Sequence, residues 1–319
     1  MSQREKDEFQ LDAGTRLKGR YVVEGEIGKG GFASVYLARD EIIDRSVALK
    51  VLSVDRLEGD KAQRAMDRFL REARLAAKIS HPSIVDIYDF GELDEVDAPF
   101  IVMECLDGDN LYDQIQEHGP LAPSWVLPNY CDILDALGEA HRQNVVHKDL
   151  KPGNIFLHRA GTRREIWKLV DFGVAHLDTP QNERITQTGF LSGTPQYLPP
   201  EYIQAQEVSP QMDIYQMALT LIEALSGKPV VADRKPFKAA MKHVEGNLDI
   251  PEPFLEGEIG EVLARALAKE AGDRFATGLE FADALASVDV HSVPDLSEDT
   301  KRGSHETAKW AAIERADQS

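Results

Sequence analysis

The sequence predicts an α+β chain of two unlike halves, a strand-rich first half carrying one helix and a mostly helical second half. Three observations lead there. Between residues 21 and 104, β-prone runs are separated by glycine-rich or acidic turns. Within that stretch one segment, 61–79, repeats its apolar residues at helical spacing. Beyond Asp107-Gly108 helical spacing takes over.

Residues 1–20, mixed in charge and weakly apolar, read as a partly ordered lead-in. Strands are expected at 21–23, 34–38 and 45–51, with turns at Gly28, Gly30 and Gly31 and again over 40–44. Helix 61–79 carries Met66, Phe69, Leu70, Ala73 and Ala77 on its apolar side and is stopped by His81-Pro82. Strands at 84–90 and 100–104 flank an acidic loop over 92–97, which reads as a solvated turn. Helices are expected at 125–142, 213–226, 259–269 and 279–287. The units are therefore 21–106 and 107–290, followed by a polar tail over 291–319 in which Trp310 and Ile313 are the apolar exceptions. No internal repeat is visible.

The 319 residues include 42% apolar side chains, enough for a sizeable core, and 29% charged ones. The 36 basic against 55 acidic residues leave −19, which argues against a nucleic-acid partner and an anionic membrane surface. Cys105 and Cys131 form neither metal-ligand spacing nor a disulfide framework. The charged first ten residues lack the apolar stretch of a signal peptide, and no run approaches the about 18 apolar residues of a membrane span. A cytoplasmic protein with no membrane anchor is the expectation.

The segment Gly28-Lys29-Gly30-Gly31-Phe32-Ala33-Ser34-Val35 lies between two expected strands. Glycines let a backbone approach a phosphate and present its N–H groups, although an ordinary hairpin has the same look. A strand rather than a helix follows, so the pattern is not a Rossmann site. In Val47-Ala48-Leu49-Lys50, strand alternation puts Ala48 and Lys50 on one face and Val47 and Leu49 on the other. A lysine on an inner sheet face needs an anion, either nucleotide phosphates or a carboxylate. Glu72, bordering the apolar stripe of helix 61–79, is the candidate carboxylate.

The most specific signal is His147-Lys148-Asp149-Leu150-Lys151-Pro152-Gly153-Asn154, followed by Asp171-Phe172-Gly173. Phosphoryl transfer from ATP needs such parts: a carboxylate to orient the attacking hydroxyl, a cation for the phosphoryl group, and oxygen ligands for Mg2+.

In these segments the chain resembles the eukaryotic-like (Hanks-type) protein kinases, and among them the bacterial serine/threonine kinases. The resemblance runs over about 21–290. It includes Phe100-Ile101-Val102-Met103-Glu104, Gly193-Thr194-Pro195-Gln196-Tyr197-Leu198-Pro199-Pro200-Glu201, Asp213-Ile214-Tyr215 and Asp273-Arg274-Phe275, all in the family's order. It implies a bilobal protein-kinase fold, with a β-rich N-lobe holding one regulatory helix and a mostly helical C-lobe. Lys50 would contact the α- and β-phosphates and pair with Glu72. Asp149 would handle the substrate hydroxyl's proton and Lys151 would meet the γ-phosphate. Asn154 and Asp171 would hold Mg2+, or Mn2+ in its place. Gly28, Lys29, Gly30, Gly31, Phe32, Ala33, Val35 and Ala48 would surround the nucleotide. Met103 would be the gatekeeper, with 104–106, from Glu104 to Leu106, as the adenine-binding hinge. Glu201 and Arg274 would form a structural ion pair, and Asp213 would brace the catalytic loop.

Lys151 and Thr194 imply serine and threonine hydroxyls of protein substrates as acceptors. Thr186-Gln187-Thr188 resembles the autophosphorylated Thr-x-Thr of such kinases, so Thr186 and Thr188 are expected phosphosites, with self-association for trans-autophosphorylation. Lys148 replaces the family's usual arginine, Ala33 a glycine, and Pro199 the usual alanine or serine. The first bears on activation; none removes a group that touches metal or phosphate. His147 resembles the family's packing histidine, and neither it nor His141 reads as a metal ligand. Two other readings are a pseudokinase scaffold, against which Lys50, Asp149, Asn154 and Asp171 speak, and a small-molecule phosphotransferase, which should lack Asp213 and the segment 193–201.

Overall fold

The computed structural model describes residues 10–30, 33–53, 60–93, 98–159, 165–172, 194–233 and 235–297. Strand β1 (Arg16–Leu17) starts a six-stranded antiparallel sheet with β2 (Tyr21–Lys29), β3 (Ala33–Asp40), β4 (Arg45–Leu52), β5 (Ile87–Leu93) and β6 (Ala98–Glu104), in the order β1-β2-β3-β4-β6-β5. Helix α1 (Asp60–Ala76) connects β4 to the segment before β5. The alternation in β4 holds. Val47, Leu49 and Val51 join an outer cluster with Tyr21, Tyr36 and Phe100, while Ala48 and Leu52 join an inner one with Phe69 and Ala73 of α1. The register sets Lys50 between Val35 and Ile101, and Ala48 beside Met103.

Helix α1 stops three residues short of the expected end. Ile79 N–H turns back to Ala76 O at 3.0 Å and Lys78 N–H to Leu75 O at 3.2 Å, so the last turn tightens out of α-geometry ahead of Pro82. The lead-in is more tightly held than its composition suggests, because Leu11 and Leu17 are buried in the outer cluster.

The second lobe opens with β7 (Gly108–Asn110), α2 (Leu111–His118) and α3 (Pro123–Arg142). The short strands β8 (Ile155–His158) and β9 (Ile166–Leu169) pair with β7 in a three-stranded sheet. Helices α4 (Pro200–Ala205), α5 (Pro210–Ser226), α6 (Pro236–Glu245), α7 (Gly257–Ala266) and α8 (Gly278–Ala286) complete it. Every residue of α5 from Met212 to Ser226 is buried, as expected of a helix that is apolar nearly all round. A Cβ on Gly278 would lie 2.3 Å from Leu134 O, so α8 reaches α3 closely only because residue 278 is glycine.

Helices α2, α4 and α6 and strands β1, β7 and β8 lay outside the sequence expectations. Two of these helices are short, and α6 buries only Ala239, Ala240 and His243, too little apolar volume to give a strong periodic signal. Val293 is buried, and Leu296 packs on the helical core. The start of segment 291–319 therefore belongs to this lobe, while Trp310 and Ile313 lie outside the described residues.

Candidate active site

The site forms where the two lobes meet. The chain after α1 docks on β9: Val85 N–H donates to Leu169 O at 3.0 Å, and Leu169 N–H to Ser83 O at 2.9 Å. Val170 N–H then donates to Asn154 O at 3.0 Å. These bonds bring Asp171 beside Asn154 on one side and below β4 on the other.

The loop from His147 to Asn154 is shaped from beneath by α5. Asp213, fully buried, accepts His147 N–H and Lys148 N–H at 2.8 Å each. His141 Nε2 lies 2.8 Å from the same carboxylate. His147 donates from Nε2 to Val170 O at 2.9 Å, since a carbonyl can only accept. Burial lowers the His147 pKa, so the ring stays neutral against Phe172, 4.6 Å away between ring centres.

Asp149 is held by its own loop. Asn154 Nδ2 donates to Asp149 O at 2.7 Å and to Oδ2 at 3.2 Å. Lys151 Nζ sits 2.7 Å from Asp149 Oδ2 and 3.4 Å from Thr194 Oγ1. Lys148 and Asp171 both adopt left-handed backbone conformations, with φ of 71° and 63°, which non-glycine residues rarely do.

Lys50, buried in β4, pairs with Asp171 Oδ1 at 2.7 Å. Desolvation in the cleft works against ionisation of Asp171, yet the cationic groups around it, Lys50 foremost and Lys151 beyond it, together hold the carboxyl below its usual range. Glu72 does not meet Lys50. Its Oε1 lies 3.2 Å from Lys148 Nζ, which corrects the expected Lys50–Glu72 pairing. With Lys148 on Glu72, Lys50 on Asp171 and Lys151 on Asp149, each ammonium in the cleft has its own carboxylate partner. Burial raises the Glu72 pKa and the Lys148 charge opposes it only in part, while Glu72 Oε2 is buried without a partner among the described residues.

Of the other residues singled out from sequence, Gly28 pairs with Val35 and Lys29 with Ser34 in the β2–β3 hairpin. Gly30 N–H donates to Ala33 O at 2.8 Å. Gly31, Phe32, Thr186 and Thr188 lie outside the described residues. Met103 is buried on the inner sheet face beside Ala48, with Leu106 packed against the same cluster. The Glu104 side chain points away toward the second lobe, where Lys168 Nζ holds it at 2.8 Å. Glu201 and Arg274 form a two-pronged pair, Nη1–Oε1 at 2.7 Å and Nη2–Oε2 at 2.8 Å.

Sequence reasoning missed three polar partners. These are His141 under Asp213, Lys168 on Glu104, and Gln216, which bonds the backbone on both sides of Asp149. The signal for Gln216 was available: it stands three residues after Asp213, one turn along the same helix face.

Comparison with known proteins identifies the family. The protein kinase domain family matches residues 21–282. The chain is 34% identical to the serine/threonine-protein kinase PknB of Mycobacterium tuberculosis over 88% of this chain and 45% of that protein. It is 37% identical to a probable serine/threonine-protein kinase of Streptomyces coelicolor over 82% of this chain and 38% of that one. The crystal structure of the M. tuberculosis PknI kinase domain superposes with a TM-score of 0.66 at 29% identity, covering 88% of this chain and 100% of that one. The chain belongs to the protein kinase family and has its bilobal fold. It spans less than half the length of the curated relatives it matches.

Proposed function

We propose that this chain is a protein serine/threonine kinase domain that transfers the γ-phosphoryl group of ATP to Ser and Thr hydroxyls and phosphorylates its own activation segment. The observation that carries this reading is the contact of Lys151 with both Asp149, at 2.7 Å, and Thr194, at 3.4 Å. It gathers a carboxylate, an ammonium and a hydroxyl where an acceptor side chain and a phosphoryl group would meet. Asp149, its carboxylate steadied by Asn154, orients the acceptor hydroxyl and takes its proton. Lys151 faces the charge of the transferring group. Lys50 contacts the phosphates once it leaves Asp171.

The donor set fits a hard divalent cation. Asn154 commits its amide nitrogen to Asp149 and leaves an amide oxygen, and Asp171 adds a carboxylate. Among the described residues no group of three or more His, Cys, Asp or Glu forms a ready-made cage. The ion would thus rest on these two residues and the nucleotide's own phosphates, the arrangement Mg2+ favours over all-protein sites, with Mn2+ as the alternative. When bound, it would neutralise phosphate charge.

Unpaired Cys105 and Cys131 fit a reducing compartment, and we place the domain in the cytoplasm. Among the described residues no helix is long and apolar enough to cross a membrane. Protein substrates, and a second copy for trans-autophosphorylation, are the partners this reading calls for. The test is transfer of label from ATP to peptide pools whose only hydroxyl is Ser, Thr or Tyr. Label on Ser and Thr is expected. Label on Tyr alone would change the class, and nucleotide binding without transfer would favour a pseudokinase.

A further inference from the structure

The amide of Gln216 grips the peptide groups on either side of Asp149. Its Oε1 accepts Leu150 N–H at 3.1 Å and its Nε2 donates to Lys148 O at 3.1 Å. The Lys148 carbonyl belongs to the peptide entering Asp149, and the Leu150 N–H to the peptide leaving it. Holding both fixes the φ and ψ of Asp149 and so the direction in which its side chain leaves the backbone. Within the loop, Asp213 bonds the backbone N–H groups of His147 and Lys148, which precede Asp149, and its remaining contact is to His141 of α3. Among the described residues of α5, Gln216 alone reaches past Asp149 to Leu150.

The chemistry of the grip is specific to a primary amide. One planar group must donate and accept at once; a carboxylate lacks the donor and a thioether lacks both strong functions. Gln216 is 1% exposed, so neither function can be served by bulk water instead. The backbone it steadies includes Lys148 at φ 71°, a conformation the loop keeps only if its surroundings enforce it.

We infer that Gln216 is a positioning residue for phosphoryl transfer, acting through Asp149 by fixing the two peptide groups that flank it. The inference rests on the reading of Asp149 as the residue that orients the acceptor hydroxyl. Gln216→Met keeps the volume and removes the grip. A misplaced reacting group can cost on the order of 100-fold, and a loop still held by Asp213 should lose less, about 10-fold in kcat. The KM for ATP and nucleotide affinity should stay within about twofold, because Lys50, Asn154 and Asp171 are untouched.

The deciding measurement is a double-mutant cycle. In an Asp149→Asn background, single-turnover transfer should not fall further when Gln216→Met is added, whereas an equal-fold loss in both backgrounds overturns the inference. Hydrogen exchange of the Leu150 amide in the unaltered protein gives a second readout that needs no variant. Protection comparable to the amides of His147 and Lys148 is expected, and rapid exchange at Leu150 refutes the grip. Were the unaltered chain to transfer no phosphate at all, the reading of Asp149 would fail, while the exchange result would still decide whether Gln216 holds the loop.

Discussion

Glu72 and Lys148 meet across the cleft at 3.2 Å, tying helix α1 of the first lobe to the 147–154 loop of the second. Lys148 stands where the family usually has arginine, and Glu72 is the carboxylate expected on Lys50. Lys50 meanwhile holds Asp171 at 2.7 Å. In this arrangement Lys148 takes Glu72 Oε1, Glu72 Oε2 has no partner among the described residues, and Lys50 is turned to Asp171.

The two halves of the Glu72–Lys148 pair should therefore respond in opposite directions. Lys148→Met frees Glu72 to meet Lys50 and should raise turnover of the unphosphorylated chain. An ion pair of this exposure contributes on the order of 1 kcal/mol, or about fivefold in rate. Glu72→Gln removes the carboxylate proposed to position Lys50 and should lower turnover. Steady-state kinetics on both variants decides; a fall in both would mean the pair supports activity rather than restraining it.

Asp149→Asn should preserve folding and nucleotide binding while lowering kcat by about 10²–10⁴-fold, the range for a positioned base. Asp171→Asn should in addition lose divalent-cation dependence of nucleotide binding, measured by calorimetry with and without Mg2+. Near-normal transfer in Asp149→Asn would remove it from the mechanism.

The strands around Lys50 and the buried length of α5 were legible because each keeps one periodicity over many residues. The acids, amide and lysines of the 147–171 region were legible as types in order. Their partners were not. Whether Lys50 meets Glu72 or Asp171 is a contest between charges from β4, α1, the catalytic loop and the segment after β9, and sequence spacing does not rank them. Gln216 escaped because a buried amide bonding to backbone leaves no pattern beyond its distance from Asp213.

Arg274 is buried and donates to Ala268 O, Gln211 O and Lys269 O besides Glu201. Arg274→Met leaves Glu201 and those carbonyls without donors. Breaking a buried pair from one side costs about 3–5 kcal/mol, and urea unfolding of Arg274→Met should read a loss of that order. Arg274→Lys should recover only part, since an ammonium cannot bond both Glu201 oxygens in one plane. A loss below about 1 kcal/mol in Arg274→Met would make the pair incidental.

Glu223 is 2% exposed and accepts Tyr197 O–H at 2.6 Å, tying α5 to the segment before α4. Burial raises its pKa, opposed in part by the Tyr197 hydrogen bond. A carboxyl whose folded pKa lies above its unfolded one contributes stability below the ordinary range near 4.5, and that contribution is lost as pH rises through the folded pKa. Glu223→Gln keeps an acceptor for Tyr197 and cannot ionise. Its Tm advantage over the unaltered chain should therefore grow from pH 4.5 toward pH 8. An advantage independent of pH would show that Glu223 does not titrate over that range.

Thr186 and Thr188 are the expected autophosphorylation sites, and Lys148 is the cation expected to receive a phosphate from that segment. It already holds Glu72. A phosphate carries about −1.5 to −2 charges, so it should draw the ammonium from a single carboxylate and release Glu72 toward Lys50. Turnover should then rise on phosphorylation. The rise should be partial, because a lysine is a point charge with rotatable donors and orders a phosphorylated loop less strictly than a bidentate guanidinium. Thr186→Ala/Thr188→Ala should thus keep a substantial fraction of activity toward an exogenous substrate, and Lys148→Arg should make activity more dependent on phosphorylation. In Lys148→Met, phosphorylation should change turnover little, since the pair it would break is already gone. Mass spectrometry after incubation with Mg2+ and ATP checks the sites, and neither threonine modified would reject them. An undiminished response to phosphorylation in Lys148→Met would place the receiving cation elsewhere.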